Sequence, residues 1–197
     1  MGEIVNDKAL DTIFRQGRSH SFWLDRPVSD VTLQAVYDLM RMGPTSANSS
    51  PTRILFLKSK EARERLRPHL IPGNVDKVLT APVTAVIGYD LRFFEHLPKL
   101  FQHNLEARSW FEGDEQKVFV NAFRNATLQG GYFILAARSL GLDCGPMSGF
   151  DNAGVDRDFF PEGHVKSNFL CCLGYADHTK LFPRNPRFEF HEVCRIL

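Results

Sequence analysis

The chain has 197 residues, 43% hydrophobic and 24% charged, the balance of a globular protein whose core can stand without disulfides. Its 24 Lys and Arg against 23 Asp and Glu argue against nucleic acid or an anionic membrane as partner, so any bound anion must be held by a few placed cations. The polar start at Met1 to Lys8 predicts no signal peptide, apolar runs fall far short of the ~20 residues that span a bilayer, and Cys144, Cys171, Cys172 and Cys194 lie at no metal or redox spacing: a cytoplasmic protein with reduced thiols is expected.

Residues 6–17 carry Leu10, Ile13 and Phe14 at helical spacing, and Asp30 to Met42 repeats it behind Ser29 as N-cap. Ile54 to Leu57 reads as a buried strand. Glu61 to Leu70 reads as a charged helix closed by Pro72-Gly73, and Pro82 to Tyr89 as a second buried strand. Residues 91–114 form an irregular aromatic stretch, either a helical excursion over a pocket or a satellite core. The longest helix is expected over about 115–140. Phe119, Ala122, Ala126, Gly130, Phe133, Ala137 and Leu140 share one face of it, and Gly141 is its C-cap. Leu142 to Met147 enters a third strand, Asp151 caps a short helix to Phe159, and Ser167 to Tyr175 is a strand buried on both faces. This order predicts one α+β domain over residues 1–197, with helices packed around a sheet.

Negative signals narrow the chemistry. No Gly-x-Gly-x-x-Gly follows a strand, which argues against a Rossmann site. Ser148 lacks the preceding Gly of a nucleophile elbow, because Pro146 stands there. The seven histidines include no pair at helical metal-ligand spacing, so no metal is expected.

Four segments carry positive signals. Arg15, Arg18, Ser19, His20 and Ser21 end the first helix, where Arg18 could grip a phosphate in a bidentate fork. Residues 43–51 (Gly-Pro-Thr-Ser-Ala-Asn-Ser-Ser-Pro) form a small, hydroxyl-rich loop suited to a flat polar ligand. Asn74 and Lys77 lie one turn apart if a helix begins at Pro72. Residues 145–151 (Gly-Pro-Met-Ser-Gly-Phe-Asp) let backbone approach a ring closely. Each also has a bland reading, a solvated helix end or an ordinary turn.

Jointly these motifs resemble the nitroreductase family over nearly the whole chain. The loop at Pro44 to Pro51 is similar to that family's flavin loop, and Gly145 to Asp151 to its segment along the isoalloxazine. The phrasing is nearer still to the subgroup containing the malonic semialdehyde reductase of pyrimidine degradation, labelled NADH dehydrogenase/NAD(P)H nitroreductase. The resemblance implies a nitroreductase-like fold, a mixed, mostly antiparallel sheet surrounded by helices in a homodimer. It implies FMN as cofactor and NADH or NADPH as donor, with ping-pong hydride transfer through flavin N5 to a small acceptor. That acceptor would be malonic semialdehyde, a nitroaromatic or a quinone; a flavin-binding protein without turnover is the rival class. No side chain is named as catalytic. By resemblance Arg18 and His20 meet the FMN phosphate or ribityl chain, and Thr45, Ser46 and Asn48 border the flavin from the partner subunit. Asn74 and Lys77 address the polar edge of the ring, and Pro146, Met147, Ser148 and Gly149 face it. Arg187 is the C-terminal phosphate cation, with Arg184 the alternative. Trp110 and Phe111 are candidates to roof the acceptor. His20 for Ser, Phe22 for a basic residue and Ser50 for Gln depart from the family pattern and imply a loosely held flavin.

Overall fold

Four apolar runs pair into one sheet, and the helices cover it on both faces. The computed structural model describes residues 2–197. In chain order it comprises α1 (Asp7–Leu10, continued by a π turn Asp11–Arg15), α2 (Asp30–Met40), β1 (Thr52–Leu57), α3 (Lys60–Leu66), α4 (Pro72–Thr80) and β2 (Val83–Asp90). There follow α5 (Leu97–Leu100), α6 (Glu115–Ser139), β3 (Asp143–Met147), α7 (Asn152–Phe159), β4 (Val165–Gly174) and α8 (Phe190–Val193). The strand order is β1-β2-β4-β3, antiparallel throughout. A single parallel bridge, Ser19 with Cys144, adds the residue-19 segment along β3.

Central β2 and β4 are buried along nearly their whole length, which is why both read as continuous apolar runs. One core lies between the sheet and helices α2 and α6, around Val36, Met40, Ile87, Phe133 and Leu173. The other lies under α3, α4 and α7, around Leu66, Val78, Val86, Val155 and Leu170. Gly130 faces Phe169 so closely that an added Cβ would sit 2.5 Å from its ring, so the small residue lets α6 lie against β4. Residues 93–110 fold as two 3-10 turns around α5, over a small core of Phe93, Leu97, Ala107 and Phe111. No helix is long and apolar enough to cross a membrane among the described residues.

Three local expectations change. Pro72 does not close the preceding helix: α3 ends at Leu66, and Pro72 occupies the first turn of α4, where its missing N–H costs nothing. Asp151 holds the N-cap position of α7 without making a side-chain cap. The buried stripe of α6 leaves Phe119 and Leu140 exposed and instead includes the polar Asn125 and Gln129. Gly141 ends α6 with φ +77°. Gly141→Ala should therefore cost about 1 kcal/mol and lower the melting temperature by about 2–4 °C in a thermal scan. An unchanged Tm would show that this turn relaxes freely.

Candidate functional site

A cleft of about 350 Å³ opens where the end of the N-terminal helical segment meets the C-terminal tail, lined by Gly17, Arg18, Ser19, Ser21, Lys77, Arg138, Phe182, Pro183, Arg184, Asn185 and Arg187. Lys77 arrives from α4, Arg138 from the last turn of α6, and Arg184 and Arg187 from the tail. Five cations thus face one concavity in a chain of nearly zero net charge, the concentration of positive field that an anion requires.

The cations are not equivalent. Arg138 donates to the backbone oxygens of Ile13 and Arg18, both at 3.3 Å, and so fixes the turn that presents Arg18. Arg184 donates to the carbonyls of Arg15 (2.9 Å) and Gly17 (3.2 Å), closing the end of the π turn. Arg18 donates to the carbonyl of Phe182, which leaves part of its fork free. Arg187 bonds only the adjacent carbonyls of Asn185 and Pro186.

Beside the cleft, Asn74 is buried on α4 and donates through Nδ2 to the Gly149 carbonyl at 3.0 Å, while Lys77 Nζ donates to Asn74 Oδ1 at 3.2 Å. The Gly149 carbonyl also accepts the Ile71 N–H at 3.2 Å. A Cβ on Gly149 would press on the Ile71 side chain and lie 2.8 Å from Asn74 Nδ2, so glycine lets this turn seat against the start of α4 without displacing either. Pro146 and Met147 lie in β3, opposite Cys171 and Leu170, and Ser148 follows them in the exposed turn. The edge strand tolerates a proline because its outer side needs no ladder donor. Lys77 links the cleft's cations to Asn74, and Asn74 links them to the Gly149 carbonyl beyond the end of β3, a row that forms a ledge.

His20 is not part of that ledge. Ser19 and Ser21 line the cleft, and the side chain between them turns to the opposite side, buried, with Nε2 3.2 Å from Asp143 Oδ1. His178 Nε2 meets the other carboxylate oxygen at 3.1 Å, and that oxygen also accepts the Ala176 N–H at 2.9 Å. Burial pushes the Asp143 carboxyl up, but the hydrogen bonds from His20 and Ala176 and the charges of both histidines outweigh it, leaving its pKa at about 2. The buried thiol of Cys172 is pushed by desolvation up to about 12, so it is no nucleophile at neutral pH.

Loop residues 44–51 stand elsewhere. The Ser46 N–H donates to Asn125 Oδ1 (2.8 Å), the Thr52 N–H to Gln129 Oε1 (3.1 Å), and Asn48 Nδ2 to the Leu100 carbonyl (2.8 Å). Thr45 Oγ1 accepts the Ser50 N–H at 3.1 Å inside the loop. Ala47, Asn48 and Ser50 all have positive φ, between 39° and 50°, a strained path that Asn125 and Gln129 hold from below. Neither was singled out in the sequence, because polar residues on a helix read as solvent-facing. Asn125 and Arg138 sit thirteen positions apart on α6, about 20 Å along the axis, so within one chain this loop does not face the basic cleft. Phe111 is buried edge-on to Phe93, 4.9 Å between centroids, in the core of the 93–110 segment, and with the exposed Trp110 and with Ser46 it also lines a pocket of about 340 Å³ against α6.

The Nitroreductase family profile matches residues 15–175. The chain is 55% identical, over 96% of its length and 98% of the relative's, to a protein of Cupriavidus pinatubonensis named "Putative NADH dehydrogenase/NAD(P)H nitroreductase". It is 53% identical, over 95% of its length and 97% of the relative's, to the protein HadB of Ralstonia pickettii, which carries the same description. The fold is similar to a Bacillus subtilis nitroreductase-type structure with TM-score 0.86 at 20% identity, covering 98% of this chain and 100% of that one. It is also similar, with TM-score 0.82 at 16% identity over the whole of both chains, to an Exiguobacterium sibiricum structure described as a complex with FMN.

Proposed function

Because the chain belongs to the nitroreductase family, we propose that it is an FMN-dependent NAD(P)H oxidoreductase that binds its flavin along the ledge from Arg18 to Gly149. The observation that carries this reading is the concentration of cations beside a buried amide and a glycine-lined strand end. That donor set fits FMN: guanidiniums for a phosphate, an amide and an ammonium for the polar edge of a ring, and backbone without side chains where a flat ring must lie close. When bound, FMN supplies acceptance of a hydride from the nicotinamide and its delivery to an acceptor.

The residues of this chain bind and orient. Arg18 offers its free N–H groups to the phosphate, and Arg187, whose own bonds are only local, is better placed to join it than Arg184, which is committed to the π turn. Lys77 and Asn74 are held to each other and to Gly149, so the polar edge they address needs no rearrangement of α4.

The loop at Thr45, Ser46 and Asn48 completes the site from a second copy of the chain. Its distance from the cleft within one chain supports this reading, and so does the exposure of Tyr37 and Leu39 on α2, Met42 just after it, and Phe119, Phe123 and Leu128 on α6. Light scattering on the purified protein should return about twice the 22.4 kDa chain mass; a monomer that still turns over would refute the shared site. The free thiols of Cys144, Cys171 and Cys172, all buried, suit the reducing cytoplasm.

The acceptor is small, and we assign it as malonic semialdehyde, reduced to 3-hydroxypropanoate. Mixing the protein with FMN should give a perturbed flavin spectrum that bleaches when NADH or NADPH is added without oxygen, and that returns when the acceptor is admitted. The semialdehyde should be preferred in kcat/KM over nitroaromatics and quinones, by about 10⁴-fold if the site hydrogen-bonds its substrate. A preference for the nitro compound or quinone would move the assignment to a broad reductase. Flavin uptake without bleaching would leave a carrier, and no uptake at all would overturn the reading.

A further inference from the structure

We propose that His20, Asp143 and His178 form a binding site for a divalent transition-metal ion, behind the basic cleft, which clamps the cleft's two walls together. The three residues come from the N-terminal segment, the start of β3 and the 3-10 turn after β4, and their ligating atoms all lie within 4.8 Å of one another. Both imidazoles aim Nε2 at the same carboxylate, one at each oxygen, at 3.2 and 3.1 Å. Each N–O separation is close to the about 3.4 Å between ligand atoms of a tetrahedral ion with bonds of about 2.0–2.2 Å, and because the two imidazoles meet different oxygens, the exposed His178 must shift to share the ion with His20.

The site is built rather than fortuitous on three counts. The His20 side chain is only 3% exposed, so one imidazole is set before any ion arrives. The Ala176 N–H, 2.9 Å from Asp143 Oδ2, holds the carboxylate from outside, the supporting bond that metal-binding carboxylates require. The His178 side chain is 64% exposed and lies at the open side, where it can swing aside to admit an ion. Two nitrogens and one carboxylate oxygen, with a fourth position open to water, are the donor set for zinc and its neighbours rather than for calcium or magnesium.

Placement gives the ion a role. His20 stands between Ser19 and Ser21, which line one wall of the cleft, and His178 opens the segment that reaches Phe182, Arg184 and Arg187 on the other. An ion tying His20 to His178 through Asp143 fixes the separation of these walls. The two imidazole rings already stand edge to face, 4.8 Å between centroids.

The test strips the whole protein with EDTA and titrates it with cobalt(II), then zinc(II). One equivalent of cobalt should bind and develop the visible bands of a low-coordinate nitrogen-oxygen site. Zinc should displace it, with a rise in Tm. His178→Ala removes an exposed ligand; it should keep the apo melting temperature, lose the bands, and bind either metal at least about ten-fold more weakly. Asp143→Asn should lose the bands as well. Absence of stoichiometric uptake, or uptake that His178→Ala leaves unchanged, would overturn the proposal and leave His20–Asp143–His178 as a hydrogen-bonded tie alone.

Discussion

Arg18→Ala should weaken FMN binding by about 10- to 100-fold, while Tm in the absence of FMN falls by no more than about 4 °C. The asymmetry follows from what each end of the residue does. Its carbonyl is held by Arg138, and that bond survives truncation of the side chain. Its guanidinium makes one bond to the Phe182 carbonyl, at an exposed position where water can replace it. What is lost is a charge-assisted fork aimed into the cleft, about 1.5–3 kcal/mol, with each 1.4 kcal/mol a factor of ten in affinity. Arg18→Lys keeps the charge but not the fork and should fall between wild type and Arg18→Ala. Arg184→Ala is the contrast: with bonds to Arg15 and Gly17 lost, it should lower Tm more than it lowers affinity. Titration of FMN fluorescence against protein checks all three. An Arg18→Ala protein that binds FMN within about two-fold of wild type would remove Arg18 from the phosphate site.

How much of this was legible in the sequence depends on how local each signal is. The four strands could be located because Val83 to Tyr89 and Ser167 to Tyr175 are apolar on both faces, and Pro82, Gly149 and Gly174 punctuate them. Their order could not be read, because β4 enters between β2 and β3 and no short-range pattern encodes an insertion. At the site, Arg18 and the Asn74–Lys77 pair stand out by type and spacing and Arg184 and Arg187 only by resemblance, and the structure gathers Arg18, Lys77, Arg184 and Arg187 into one cleft with Arg138, which no sequence signal marks. His20 leaves the cleft for a reason of parity. The chain is extended there and bridges Cys144, so alternate side chains point to opposite sides, and a residue between two cleft serines must leave the cleft. The cluster His20 joins was invisible to spacing rules, since its members come from three distant segments. Phe111 packs in its excursion's own core and also lines a pocket with Trp110, two roles that aromatic composition alone does not separate.

The same extended segment sets up the largest expected effect on stability, at Gly145. This residue lies in β3 opposite Cys172, and on its other side the backbone of His20 runs past, tied in by the His20 N–H to the Cys144 carbonyl at 2.9 Å. A Cβ on Gly145 would press into the His20 carbonyl oxygen, far inside van der Waals contact, and would lie 3.2 Å from Trp23 Cζ2. Backbone cannot rotate away as a flexible side chain can. Gly145→Ala therefore forces the residue 19–23 segment off β3, which strains the bridge to Cys144 and the bond from Trp23 Nε1 to the Lys77 carbonyl, 3.1 Å long. We expect a loss of about 3 kcal/mol, at the upper end for overpacking, and a drop in Tm of about 6–12 °C. Flavin affinity should fall with it, because Ser19 and Ser21, which line the cleft, move with their segment. Gly73→Ala is the matched control, in the first turn of α4 with nothing within 4 Å of the added Cβ, and should be neutral or slightly stabilising. If Gly145→Ala melted with Gly73→Ala, the N-terminal segment would have to be free to stand away from the sheet. The cleft wall it forms would then be made only when a ligand draws it in.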